Sequence, residues 1–213
     1  MDWESRYASG NAPWELGQAS PPLLGLVRLY RDRLGRALVP GCGRGDDALA
    51  VAALGIGKHD VDVTGWDIAP TAVASALERN LAVAFEVRDA LDPAATLADA
   101  GRFDAWIEHT FFCAIPPDLR PRYVEQAARL LHPDGLLLGV FYIGDRAKGP
   151  PYGASEDELR RLFSAHFPSL QIAPTTNSTG MWAGQEVTLV AYYPTRHSSL
   201  VTRHSSLVTF RCC

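Results

Sequence analysis

From Leu34 to Tyr193 the chain alternates short apolar runs with longer amphipathic stretches, a pattern that few architectures accommodate. Ala37 to Val39 is a first apolar run and leads into Pro40-Gly41-Cys42-Gly43-Arg44-Gly45; an alanine-rich helical stretch follows from Asp46 to Leu54. Val61 to Trp66 reads as a second strand ending at Asp67. Pro70 to Asn80 reads as a helix with proline in its first turn, where a missing N–H costs nothing. Ala84 to Arg88 reads as a third strand ending at Asp89, and Phe103 to Ile107 as a fourth. A helix is expected over Leu119 to Leu131, a wholly apolar strand over Leu136 to Tyr142, and a helix over Ser155 to His166. Leu170 to Ala173 and Val187 to Tyr192 close the pattern as two nearby strands. Strands that alternate with helices pair in parallel through crossovers, with helices on both faces. The expected fold is therefore α/β: a doubly wound, mostly parallel, seven-stranded Rossmann-like sheet with an antiparallel edge made by the last two strands.

Composition narrows the partners. Of 213 residues, 47% are hydrophobic and 21% charged, enough for a packed core and unlike a disordered chain. Thr195 to Val201 reads TRHSSLV and is repeated without change from Thr202 to Val208, which marks a tandem duplication and a polar tail outside the fold. The formal net charge is −4; the last nineteen residues hold three arginines and no acid, which leaves −7 for the rest. A chain so acidic is a poor holder of nucleic-acid phosphates. The longest apolar run, Leu136 to Ile143, falls far short of the roughly 18 residues a membrane span needs. The start, Met1-Asp2-Trp3-Glu4, has no basic segment and no leader-like apolar stretch. Four cysteines, Cys42, Cys113, Cys212 and Cys213, show neither metal-ligand spacing nor a disulfide framework. The expectation is one domain over residues 1–194, monomeric and cytoplasmic, with no metal and with a small molecule as its partner.

In such sheets ligands bind beyond the C-terminal strand ends, where the strand order reverses. The Gly41–Gly45 loop leaves the first strand there; glycine lets a ligand approach the backbone, and the helix that follows offers free N–H groups. Asp67, 26 residues beyond Gly41, could accept both hydroxyls of a ribose, and Asp89 comes next along the same rim. Each feature alone also reads as a tight turn or a helix cap; together they indicate a nucleoside-containing ligand. The G-x-G-x-G spacing differs from the G-x-G-x-x-G of dinucleotide sites and favours S-adenosylmethionine over NAD. Trp3, Tyr7 and Trp14, ahead of the first strand, suggest an aromatic cover within residues 1–33, since ring faces attract a sulfonium cation. After the fourth strand, Glu108 to Pro117 emerges at the same rim, so His109, Phe111 and Phe112 are candidates to face the methyl group. His109 could take a thiol proton or attract a thiolate; Cys113 reads as a small buried apolar residue. A nicotinamide oxidoreductase, a non-catalytic S-adenosylmethionine-binding module, and an O- or N-methylating enzyme using Glu108 as base remain open on these residues.

Leu38-Val39-Pro40-Gly41-Cys42-Gly43-Arg44-Gly45-Asp46-Asp47-Ala48 with Gly65-Trp66-Asp67-Ile68 resembles the thiopurine S-methyltransferase family, and more closely its halide/thiol methyltransferase branch. His109-Thr110-Phe111-Phe112-Cys113-Ala114-Ile115-Pro116, Pro13-Trp14-Glu15-Leu16-Gly17 and Gly149-Pro150-Pro151-Tyr152 are similar to further stretches of that branch. The resemblance covers roughly residues 3 to 165. It implies a class I methyltransferase fold with S-adenosylmethionine as donor and a small soft acceptor. It assigns the aromatic trio to Trp3, Tyr7 and Trp14, the glycine loop to Gly41 and Gly43, the ribose acid to Asp67 and the adenine contacts to Asp89 and Ala90. At the position of His109 the branch usually has Tyr and the thiopurine enzymes Arg.

Overall fold

The computed structural model describes residues 1–54, 61–79, 83–175, 177–178 and 183–194. The duplicated tail from Thr195 onward and the expected helix terminus at Asn80 lie outside them. Two helices precede the sheet. α1 (Trp3–Ala8) starts where the Asp2 side chain accepts the Ser5 N–H. α2 (Pro21–Leu29) starts at Ser20, with Pro21 and Pro22 filling the turn whose N–H groups need no partner. Neither was drawn as a helix from sequence. Six residues carry too little periodicity to register in α1, and paired prolines in α2 mimic a linker.

The rest follows the alternating pattern: β1 (Arg36–Pro40), α3 (Asp46–Leu54), β2 (Asp62–Asp67), α4 (Pro70–Arg79), β3 (Ala84–Val87), β4 (Phe103–His109), α5 (Arg120–Leu130), β5 (Leu131–Tyr142), α6 (Glu156–Ser164), β6 (Ser169–Pro174) and β7 (Glu186–Tyr192). The strand order is β3-β2-β1-β4-β5-β7-β6. The five strands from β3 to β5 pair in parallel, while β7 runs antiparallel to both β5 and β6. The antiparallel pair makes one edge as expected, and β7 is the inner member of that pair.

Burial on both faces explains why the strands read as short, continuous apolar runs. Leu38, Trp106, Leu137 and Phe141 point to a core closed by Tyr123 and Val124 of α5 and Leu159 and Phe163 of α6. Ala37, Val39, Ala105, Ile107, Leu136 and Leu138 point to the opposite core, closed by Leu23 and Val27 of α2, Ala48 and Val51 of α3, and Val73 and Ala76 of α4. Each large buried side chain contributes about 1.5–3 kcal/mol to keeping the layers together. β1 and β4 lie side by side at the centre, with Leu38 opposite Trp106, and the chain proceeds outward from them in opposite directions. Their C-terminal ends therefore bound the crevice in which open α/β sheets bind ligands.

Candidate active site

A cavity of about 400 Å³ opens at that crevice. Its floor begins at Gly41, which leaves β1 with φ +60°; a Cβ there would lie 2.9 Å from the Phe111 ring arriving from β4. Only glycine accepts both that backbone and that proximity. Gly43, φ +53°, does not line the cavity. It lies beneath it: its N–H donates to Asp67 Oδ2 at 2.9 Å, and an added Cβ would meet the Tyr7 hydroxyl at 2.7 Å.

Asp67, at the end of β2, lines the cavity and is 7% exposed. Its other oxygen accepts the Ala69 N–H at 2.9 Å. Burial pushes its carboxyl above the usual range. A carboxylate offers about four acceptor sites, so two backbone bonds leave capacity towards the cavity, and no cation pairs with it among the described residues. Asp89, Ala90 and Leu91 continue the rim, with Asp89 Oδ1 accepting the Leu91 N–H at 2.8 Å.

The aromatic trio is brought together over this rim. Trp14 meets Trp3 and Tyr7 edge-on, with ring centroids 5.2 and 5.7 Å apart, and its Nε1 donates to the Tyr7 hydroxyl at 3.2 Å. Burial, chiefly, keeps that hydroxyl well above its ordinary pKa. A latch unforeseen from sequence holds the cover down: Glu4 of α1 accepts the N–H of Thr71 at 3.0 Å and its hydroxyl at 2.5 Å, at the start of α4. An acid followed 67 residues later by a threonine gives no local signal.

The segment after β4 divides differently from the expectation. Thr110, Phe111, Cys113, Ala114, Ile115 and Pro116 line the cavity, but His109 and Phe112 do not. The His109 side chain is 8% exposed and is directed at Asp47 in the first turn of α3 and Glu186 at the start of β7. Its Nδ1 lies 2.9 Å from Asp47 and its Nε2 3.9 Å from Glu186. Burial alone would lower the imidazole pKa, but the bond to Asp47 and the surrounding acids raise it above the ordinary value. Phe112 packs edge-on against Tyr123 and Phe141 in the core. The reason is where the strand stops: β4 extends to His109 with its side chain held by Asp47, and Thr110, at φ +66°, turns the chain so that the loop from Thr110 to Pro116 runs along the cavity with Phe112 turned back into the core.

Glu108 is also turned away, fully buried, accepting the N–H groups of Phe111 and Phe112 at 2.9 Å each and the Tyr123 hydroxyl at 2.5 Å. Burial pushes its carboxyl up to about 7. It ties the turn rather than facing a reactant. Burial likewise drives Cys113 up to about 12, so its thiol stays protonated; it donates to the Thr110 carbonyl at 3.3 Å.

Past β5, Arg146, Pro150, Pro151 and Tyr152 complete the wall. Arg120, 1% exposed, fixes this segment: its guanidinium donates to the carbonyls of Gly153 and Tyr152 at 3.0 and 3.1 Å, pairs with Glu158 at 2.9 Å, and stacks 4.7 Å from the Phe112 ring. The Tyr152 N–H donates to the Cys113 carbonyl at 2.7 Å, which joins the two halves of the wall. An arginine opening a helix ordinarily reads as solvent-facing, so sequence reasoning passed over it.

A doubly wound sheet with its cavity at the β1/β4 crevice, a glycine-loop floor and an acid ending β2 is the arrangement of a class I methyltransferase. The solved structures that share it include one from work on conversion of a disulfide bond into a thioacetal group during echinomycin biosynthesis, with TM-score 0.71, 24% identity and coverage of 90% of this chain and 91% of that one. Another is the Burkholderia thailandensis 1,6-didemethyltoxoflavin-N1-methyltransferase with bound 1,6-didemethyltoxoflavin and S-adenosylhomocysteine, with TM-score 0.69, 22% identity and coverage of 91% and 86%. The thiopurine S-methyltransferase family model matches residues 1–179, and the chain belongs to that family of S-adenosylmethionine-dependent enzymes. Among its relatives, a probable thiol methyltransferase of Arabidopsis thaliana is 34% identical over 86% of this chain and 81% of its own length. Thiocyanate methyltransferase 1 of the same plant is 37% identical over 70% of this chain and 65% of its own length. A 2-heptyl-1-hydroxyquinolin-4(1H)-one methyltransferase of Mycobacteroides abscessus is 33% identical over 76% and 71%.

Proposed function

We propose that this enzyme transfers the sulfonium methyl of S-adenosylmethionine to a small soft nucleophile: a thiol, bisulfide or a halide ion. One observation carries the choice of acceptor. Among the described residues, the two segments that wall the cavity opposite the glycine loop contribute no carboxylate and no imidazole to it. A hydroxyl or amine acceptor usually needs a base beside it, and the two candidates, Glu108 and His109, point elsewhere. A thiolate or halide needs only to be held in line and kept dry. The relatives that act on thiols or thiocyanate support the same reading.

Bound S-adenosylmethionine supplies an electrophilic methyl on a positively charged sulfur. The site fits such a donor on its own evidence, because a nearly buried carboxylate with spare acceptor capacity and no counter-cation suits a pair of ribose hydroxyls. In this proposal Asp67 accepts those hydroxyls, Asp89 and Ala90 border the adenine, and Gly41, with Gly43 beneath it, gives the amino-acid end access to backbone. Trp3, Tyr7 and Trp14, within residues 1–33, act as the lid, attract the cation by about 0.5–2 kcal/mol per ring and exclude water together with Phe111. Phe112 supports that wall from behind. His109 is a support rather than a catalytic base, fixing the β4 terminus between Asp47 and Glu186. The proposal covers a monomer acting in the cytoplasm on a small molecule. In keeping with it, Cys42 and Cys113 are free thiols and no helix among the described residues is long and apolar enough to cross a membrane.

The test is a headspace assay. Protein and S-adenosylmethionine are incubated with bisulfide, methanethiol or iodide, with D67A alongside. Methylated gas that depends on Asp67 is the expected result; S-adenosylmethionine binding without gas from any of the three would refute the choice of acceptor.

A further inference from the structure

Among the described residues, three cationic side chains line the cavity: Arg6, Arg88 and Arg146. Two are already engaged. The Arg6 guanidinium lies 4.6 Å from the Trp14 ring centroid and its Nε donates to the Asn11 carbonyl at 3.1 Å. Arg88 pairs with Asp99 and Glu86 and stacks 4.5 Å from the Trp66 ring. The Arg146 side chain has no hydrogen bond, ion pair or ring contact among the described residues. Its neighbour Asp145 neither pairs with it nor lines the cavity. The two acids on the lining are Asp67, which ends β2, and Asp89, two residues beyond β3; both strands lie on the other side of β1 from β5, after which Arg146 comes.

We propose that Arg146 is the acceptor-selecting residue, and that the preferred acceptors are thiols bearing a second, fixed negative charge such as a carboxylate. The inference rests on the reading of the cavity as a thiol-methylating site and adds the class of thiol. Position argues for a second charge rather than the reacting sulfur. A cation serving the sulfur should be buried near Gly41 and Phe111, whereas Arg146 is exposed. The backbone beneath it is nonetheless fixed, because the Arg146 carbonyl accepts the Gly153 N–H at 2.9 Å and the Gly153 carbonyl is held by the buried Arg120. A guanidinium on an anchored loop that lines the cavity together with Pro150, Pro151 and Ile115 suits a carboxylate in planar, paired hydrogen bonds.

The test compares 3-mercaptopropionate, 2-mercaptoethanol and cysteamine as acceptors for the wild type, R146A and R146K. Taking ratios between variants cancels the thiols' differing reactivities. The ratio of kcat/KM for the anionic over the neutral thiol should fall about three- to fivefold in R146A, the scale of an exposed ion pair, and should largely survive in R146K. Raising salt to 1 M should erase the same preference in the wild type. A second readout needs no turnover: binding of 3-(methylthio)propionate and of its neutral amide, by calorimetry with S-adenosylhomocysteine present. Tighter binding of the acid, lost in R146A, supports the proposal, and would do so even if no thiol were methylated, which would instead refute the thiol reading above. Equal binding of acid and amide, or equal effects of R146A on all three thiols, overturns it.

Discussion

The cavity is built in two ways at its two ends. The end at Gly41, Asp67 and Asp89 is made of strand termini, and its polar groups are held by backbone N–H groups within a few residues of a strand. The opposite end, at Thr110 to Pro116 and Arg146 to Tyr152, is made of loops, and what holds it lies behind it: Glu108 under one loop and Arg120 under the other. A site for a constant ligand can be built into the sheet, whereas a site for a variable ligand sits on loops that buried polar groups fasten to the core. The two ends should therefore fail differently when mutated, the first by losing affinity and the second by losing stability.

The largest expected effect is at the loop end. R120A leaves Glu158, its side chain 24% exposed, and the half-buried carbonyls of Tyr152 and Gly153 without their donor, a loss of about 3 kcal/mol, the low end for breaking a buried ion pair because water reaches the remaining carboxylate. Thermal unfolding should shift down by on the order of 10 °C at this chain length. A shift under about 2 °C would mean that the loop stays up without its clamp and would erase the distinction between the ends.

Next comes the strand end. D67A removes the acceptor proposed for the ribose and leaves the Gly43 N–H without its partner. Hydrogen bonds to a charged group contribute about 1.5–3 kcal/mol each, so losing even one of them should weaken S-adenosylhomocysteine binding about 10- to 150-fold by calorimetry. Melting without ligand should change less than in R120A. If D67A unfolds the protein while affinity per folded molecule persists, Asp67 is structural and its proposed role is wrong.

The same contrast explains what could be read in the sequence. Gly41, Asp67 and Asp89 each follow a short strand-like run, so pattern and punctuation place them on one rim without knowledge of packing, and the sheet and most of its helices follow from the same signal. The loop end carries no such signal. Whether Glu108, His109 or Thr110 reaches the cavity depends on where β4 stops and on the turn at Thr110 with its positive φ, neither of which leaves a periodic signal in the sequence. Arg120 and Glu4 act across 33 and 67 residues, on Gly153 and Thr71, contacts that only the folded chain assembles.

His109, the expected catalytic residue, and Glu108, the base of the alternative O- or N-methylating reading, instead predict a pH dependence of stability. Glu108 rises from its ordinary 4.5 to about 7 on folding, so the folded state holds a proton that the unfolded chain releases. Its stabilising contribution is whole below pH 4.5, declines as pH rises, and is gone above about 7. His109 is also raised, so its contribution is intact below the ordinary 6.5 and is lost as pH climbs through the folded value. Both slopes have the same sign, and the melting temperature should fall between pH 5 and pH 8. E108Q should flatten the lower part of that slope and H109Q the upper part. A wild-type melting temperature that rises over this range would mean that both groups are charged differently from what their burial dictates.

The smallest expected effect is a ratio that does not move. If His109 only braces the β4 terminus between Asp47 and Glu186, H109F should lower turnover of a thiol and of iodide by a common factor, with their ratio held within about twofold. A thiol must shed a proton near pH 8.5 while iodide has none to lose, so a proton-accepting His109 would depress the thiol alone. Selective loss of the thiol would bring His109 back into the chemistry, reached through a rearrangement of the Thr110 turn, and the loop end would then be reactive as well as selective.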